Sequence, residues 1–313
     1  MKVEEVLQCS LPAWYPHFEK VTFPTVCLTL PGEVLEYLKE DGQLVLPKEC
    51  NEESYDGKEE DYEDFGDTDW NEGEDSEEEN EQKSFPEFSQ RVQNILQEFG
   101  GEVFLKLNWS CPKDATWVAF NNSMKCTSLS QLYLLLKSSD FVAHDLSMPF
   151  SGCEDCEDQV DSVTVSYSLV LRKWVDVNPG TEFRCWVSGG ELVAVCQRDI
   201  SNYYPYLARE EESVKQDIHT FFQEHIRDKF MLASFVMDVT RPRKDKIVLV
   251  DFNPWGETTD SLLFTWEELE ERKDDDQELC LRYIKESGGV QPHPYRHYSI
   301  PRDMVGVVSS YSC

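Results

Sequence analysis

The run KIVLVDFN at 246 to 253 is apolar enough to be a buried strand, yet it finishes in Asp251 and Asn253. Buried strands seldom end in an acid and an amide without a compensating partner. At i and i+2 the two side chains leave the same face. If FVMDV (235 to 239) folds back through the turn TRPRKD so that Val239 opposes Lys246, Asp238 joins that face; a one-residue slip reverses this. Three oxygen-bearing side chains on one sheet face suit Mg²⁺, which takes one or two carboxylates and completes its octahedron with phosphate and water oxygens. A strand end closed by Asn-Pro turn chemistry would use the same residues.

A second cluster lies upstream. Strands at 181 to 187 and 191 to 198 meet at SGGE, where Gly189-Gly190 forms a two-residue hairpin turn. Pairing Ser188 with Glu191 sets Phe183, Cys185 and Val187 against Cys196, Ala194 and Leu192 on an apolar face, and leaves Glu182, Arg184, Gln197 and Asp199 on the other. Both charge signs on one face describe a ligand surface or an ordinary solvated face. Basic residues end two more strands. In VFLKLNW (103 to 109), Val103, Leu105, Leu107 and Trp109 point one way and Lys106 the other; in 163 to 175, Val163 through Leu171 alternate, with Lys173 at the end of their face and Arg172 opposite.

Helical segments must hold these strands. Ser84-Phe85-Pro86-Glu87 reads as a capping box before Phe88, Val92, Ile95, Leu96 and Phe99. Leu129, Leu132, Tyr133 and Leu136 mark a short helix, and Val214, Ile218, Phe221, Phe222, Ile226 and Phe230 a longer one. No P-loop, GxGxxG, kinase loop or GxSxG motif is present.

The 313 residues carry 61 acidic against 29 basic side chains, a balance of −32. That field repels nucleic acid, and no basic patch offsets it. Residues 49 to 82 hold 18 acids and one lysine, a composition expected to stay disordered, as a spacer or as a partner-binding tract. No apolar run reaches membrane-spanning length, MKVEEVLQCS lacks a signal-peptide core, and eleven scattered cysteines fit a reducing compartment, so a cytoplasmic protein is expected.

Together, VFLKLNWSCPKDATW (103 to 117), LVLRKW (169 to 174), EFRCWV (182 to 187), QRD (197 to 199), VDFNPWGETTDSLLFTWEEL (250 to 269) and AWYPHF (13 to 18) resemble the cell division cycle protein 123 family over roughly residues 1 to 300. The resemblance implies an α+β ATP-grasp fold in which two subdomains clamp ATP between antiparallel sheets. It implies ATP contacts at Lys106, Cys111, Lys113, Asp114, Val170, Arg172, Lys173, Glu182, Arg184, Asp199 and Asp238, and Mg²⁺ on Asp238, Asp251 and Asn253. It also implies an ATP-dependent chaperone, most simply a monomer, that assembles the eukaryotic translation initiation factor 2 heterotrimer by engaging its gamma subunit. A carboxylate-amine ligase is the enzymatic alternative, although no second-substrate pocket is evident. The expected organisation is an amino-terminal part of the fold at 1–48, an acidic insertion at 49–83, an ATP-grasp core at 84–278 and a carboxy-terminal extension at 279–313.

Overall fold

Alternating apolar residues build two sheets. In the computed structural model, which describes residues 1–42, 44–52, 82–119, 123–156, 164–272 and 278–291, strands β1 (Thr25–Thr29), β2 (Val103–Lys106), β3 (Lys125–Cys126) and β4 (Ser168–Lys173) form an antiparallel sheet in the order β1-β4-β2-β3. Strands β5 (Glu182–Ser188), β6 (Glu191–Gln197), β7 (Phe235–Arg243), β8 (Lys246–Pro254) and β9 (Cys280–Arg282) form a second sheet in the order β8-β7-β5-β6-β9, antiparallel except for the β6–β9 pair. The architecture is α+β. Most of the acidic tract, residues 53–81, and the extension beyond 291 lie outside the described residues. Among the described residues no helix is long and apolar enough to cross a membrane.

Each sheet buries one face under helices. Leu28, Val103, Leu105, Leu169 and Leu171 of the first sheet pack against side chains from the helices Gly32–Lys39, Pro86–Glu98, Leu129–Lys137 and Asp140–Ser147. Truncating fully buried Leu105 to Ala at such a site costs about 2–5 kcal/mol. Phe183, Cys185, Val195, Met237, Val239, Leu249 and Phe252 of the second sheet pack against Trp14 and Phe18 of the helix Leu11–Phe18 and against Val214 and Ile218 of the helix Leu207–Phe221. The opposite faces of the two sheets meet at a cleft, except where Trp186, Ala194, Cys196 and Val236 of the second sheet are buried under Phe264 and Leu269.

The structure corrects four local readings of the sequence. Pro86 does open its helix, but the N-cap is Phe85; Ser84 instead donates to Glu49 Oε1 at 2.5 Å, so no capping box forms. Strand β4 begins at Ser168 and not at 163, because the Asn108 amide ties off the preceding chain through Ser166 O (3.1 Å) and Ser168 N (2.8 Å). The long helix ends at Phe221 in a π-turn over Phe222–Ile226, and Phe230 returns to stack on Phe252 with ring centroids 4.0 Å apart.

The fourth correction concerns register, and it moves functional side chains. Gly189 and Gly190 adopt φ of 58° and 82°, and Ser188 pairs with Glu191 as the turn residues predict. Beyond Val187↔Leu192, however, Val193 bulges, so Trp186 opposes Ala194, Arg184 opposes Cys196 and Phe183 opposes Gln197. Gln197 therefore points away from the Arg184 face and is fully buried. Val239 opposes Leu249 rather than Lys246, and a bulge at Val250 then places Asp238 directly across from Asp251. Without that extra residue Asp251 would share the core face with Leu249.

Candidate functional site

The facing sides of the sheets enclose a cavity of about 620 Å³, within the ~300–1,000 Å³ span of small-molecule sites. Lys106 and Arg172 approach it from the first sheet, and Arg184, Asp238, Asp251 and Asn253 from the second. Lys106 stands at the end of β2, opposite the core-facing Leu105, and its ammonium pairs with Asp251. Arg172 reaches across in the same direction. It donates to Val250 O at 2.7 Å and to Thr22 Oγ1 at 2.7 Å, while Thr22 Oγ1 donates to Leu249 O at 2.8 Å. These bonds lock the two sheets together at the back of the cleft. The Arg172 Nε is buried without a hydrogen-bond partner among the described residues, and burial lowers the pKa of its guanidinium.

On the second sheet Asp238 is the electrostatic centre. Arg184 grips it bidentately, Nε to Oδ1 at 2.8 Å and Nη2 to Oδ2 at 2.9 Å, and donates Nη1 to Asp260 O at 2.8 Å. Arg198 approaches the same carboxylate at 3.2 Å. Burial alone would raise the Asp238 pKa; the two guanidinium groups overcome that and hold it well below the usual carboxylate range. Asp238 in turn raises the Arg198 pKa against the opposing effect of burial. Asn253 places its amide 3.5 Å from Asp238 Oδ2.

Arg198 is the residue that the sequence pattern missed. The Val193 bulge shifts residue parity, so Arg198, bonded through its backbone N to Glu182 O at 3.0 Å, takes the place on the cleft face assigned to Gln197. A bulge leaves little trace in a run such as ELVAVC, where every residue but the first suits a buried strand. Glu182 does occupy the expected face. Burial raises its pKa, with Arg198 opposing, and its carboxylate sits where three cavities adjoin.

One neighbouring cavity, of about 300 Å³, is an apolar slot between Phe23, Phe104, Met124, Trp174 and Val250, with Arg172 and Lys173 at its wall. Val170 lies directly opposite Lys106 in register, but its side chain is fully buried in the core under the second sheet and lines none of the three cavities. Cys111 and Lys113 line the main cleft. Asp114 does not line it: the carboxylate accepts from Ser139 Oγ at 2.6 Å and Phe141 N at 3.3 Å, which fastens the start of the helix Asp140–Ser147. Asp199 faces the third cavity, of about 360 Å³, but Ser201, Asn202 and Tyr204 already donate to it. Those bonds lower its pKa against the effect of burial.

Asp238, Asp251 and Asn253, the last with its amide turned to present oxygen in place of the nitrogen that now faces Asp238, would supply an all-oxygen donor set of the kind a hard divalent cation takes. Asp238 and Asp251 stand directly opposite one another in register and Asn253 follows two residues on; in this structure Arg184 holds the first carboxylate and Lys106 the second.

An α+β protein with two sheets facing across a charged cleft, flanked by an apolar slot, is thus the class that fold and site define. The chain belongs to the D123 family, whose model matches residues 14–308. Proteins named "Translation initiation factor eIF2 assembly protein" are 43% identical in Xenopus laevis, over 97% of this chain and 92% of that protein, and 41% identical in Danio rerio, over 99% and 91%. The solved structure of Cdc123 from Schizosaccharomyces pombe superposes with a TM-score of 0.71 at 34% identity, covering 90% of this chain and 97% of that one.

Proposed function

We propose that this chain is an ATP-binding chaperone that promotes assembly of eukaryotic translation initiation factor 2 by binding its gamma subunit. The assembly role is drawn from the relatives' names. The nucleotide reading rests on one observation above all: an apolar slot sized for a planar ring opens beside a cleft carrying Lys106, Arg172 and Arg198. The slot would take the base between Phe104 and Met124, Glu182 would accept hydrogen bonds from the sugar, and the cationic side chains would balance the phosphates. Asp238, Asp251 and Asn253 would hold Mg²⁺, which when bound neutralises phosphate charge. When Lys106 turns from Asp251 toward a phosphate, Asp251 becomes available in the same movement. Because side chains from both sheets contact one ligand, nucleotide would fix the lobes relative to one another and so shape the surface offered to the partner.

The test is the release rate of ADP, followed with and without purified gamma subunit. A several-fold change on adding the gamma subunit is expected. A protein that binds no nucleotide, or whose release rate ignores the gamma subunit, would refute the coupled reading.

A further inference from the structure

We propose that Arg198, and not Arg184, is the guanidinium that takes the anionic group of the cleft's ligand, while Arg184 fixes Asp238. This rests on the nucleotide reading above and assigns roles within it. The two arginines share one carboxylate, but their donors are committed very differently. Arg184 has each of its three nitrogens bound to protein, two on Asp238 and one on the Asp260 carbonyl, and its side chain is 9% exposed. Moving it to a ligand would strand a buried carboxylate and a backbone acceptor. Arg198 touches Asp238 only through Nε, 3.2 Å from Oδ2 and outside hydrogen-bond geometry, and its side chain is 36% exposed. Among the described residues its terminal nitrogens make no hydrogen bond either. It borders both the main cleft and the 360 Å³ cavity beside it.

A planar fork with unspent N–H groups, pre-charged by a carboxylate that another arginine already satisfies, is suited to a phosphate oxyanion. Arg198 can turn to the ligand without leaving Asp238 unpaired. A plain counter-charge role would instead require only its proximity to Asp238.

The experiment compares the parent protein with Arg198→Met, Arg198→Lys and Arg184→Met. ATP, ADP and adenosine are titrated calorimetrically in the presence of Mg²⁺, and urea unfolding is followed without nucleotide. Arg198→Met should weaken ATP and ADP by about ten- to a hundredfold. It should leave adenosine affinity within about twofold, as expected for a side chain that meets only the charged groups. Arg198→Lys should recover part of the loss, and the denaturation midpoint should move only in Arg184→Met. If Arg198→Met binds ATP as the parent does, or loses adenosine and stability together with ATP, the assignment is overturned while nucleotide binding stands. If the parent binds neither ATP nor adenosine, the nucleotide reading itself has failed and the assignment falls with it.

Discussion

The Lys106 ammonium and the Asp251 carboxylate meet across the boundary between the two sheets, one side chain from the end of β2 and the other from the middle of β8. Lys106 is 4% exposed and Asp251 19%. Neither charge has that partner without the other sheet, so the pair measures how well the lobes are joined. Lys106→Met and Asp251→Ala should each destabilise the nucleotide-free protein by about 1–3 kcal/mol, and the double variant by less than their sum. A urea-unfolding cycle that shows strict additivity would mean that the two charges do not interact.

ATP with Mg²⁺ should raise the melting temperature of the parent, since a ligand bound only by the native state adds RT ln(1 + [L]/Kd). Asp251→Ala should lose most of that gain. An unchanged nucleotide-dependent shift in this variant would remove Asp251 from the metal assignment.

Gln197 holds three backbone groups: its Nε2 donates to Asp199 O and to Asn202 O (2.7 Å), and its Oε1 accepts from Ile284 N at 3.0 Å. Gln197→Leu leaves all three unsatisfied in a buried place and should cost about 2–4 kcal/mol. Cooperative unfolding with an unaltered midpoint would contradict this role.

Glu268 is held near a pKa of about 2 by two hydrogen bonds from Arg282 and one from the Thr265 backbone. With the folded value below the unfolded one, the contribution is complete above about pH 4.3 and is lost as pH falls toward 2. The side chain is 41% exposed, so solvent screening keeps the effect below about 1 kcal/mol. Glu268→Gln should flatten the acid limb of the stability curve between about pH 4.5 and 2, and a limb of unaltered slope would count against the pair.

The acidic run at 49 to 82 should speed encounter with a basic partner without fixing the complex. Deleting it should lower kon for the gamma subunit and leave koff nearly unchanged, and the parent's kon should fall as salt rises. An association rate that is flat across salt would leave the segment as a spacer.

Periodicity carried much of this fold and stopped where parity broke. Leu105 against Lys106, or Leu129 with Leu132, Tyr133 and Leu136, follow from regular spacing and lie where that spacing puts them. The Gly189-Gly190 turn fixes its own two flanking pairs, but the bulge at Val193 inverts the facing of the residues after it. Hence Glu182 and Arg184 were legible on the cleft face, whereas Arg198 and Gln197 exchanged places. Asp114 and Asp199 illustrate a different limit. Their type and position suit a ligand site, but the bonds that occupy them come from Ser139 and Tyr204, whose approach depends on tertiary packing.

The residue bulged at Val193 makes chain length itself a determinant of the cleft. Removing any single residue between Leu192 and Cys196 would restore a regular ladder, which by strand criteria is the more ideal one. Everything after it would then change sides, with a guanidinium driven toward Phe183 and Leu207 and an uncharged amide presented to the ligand. Substitutions in this stretch should be tolerated as long as they remain apolar and keep the buried volume, whereas insertions and deletions of one residue should not. A deletion scan and a substitution scan of the same five positions ought therefore to disagree: the first would show the segment as indispensable to the cleft, the second as open to apolar residues of similar volume.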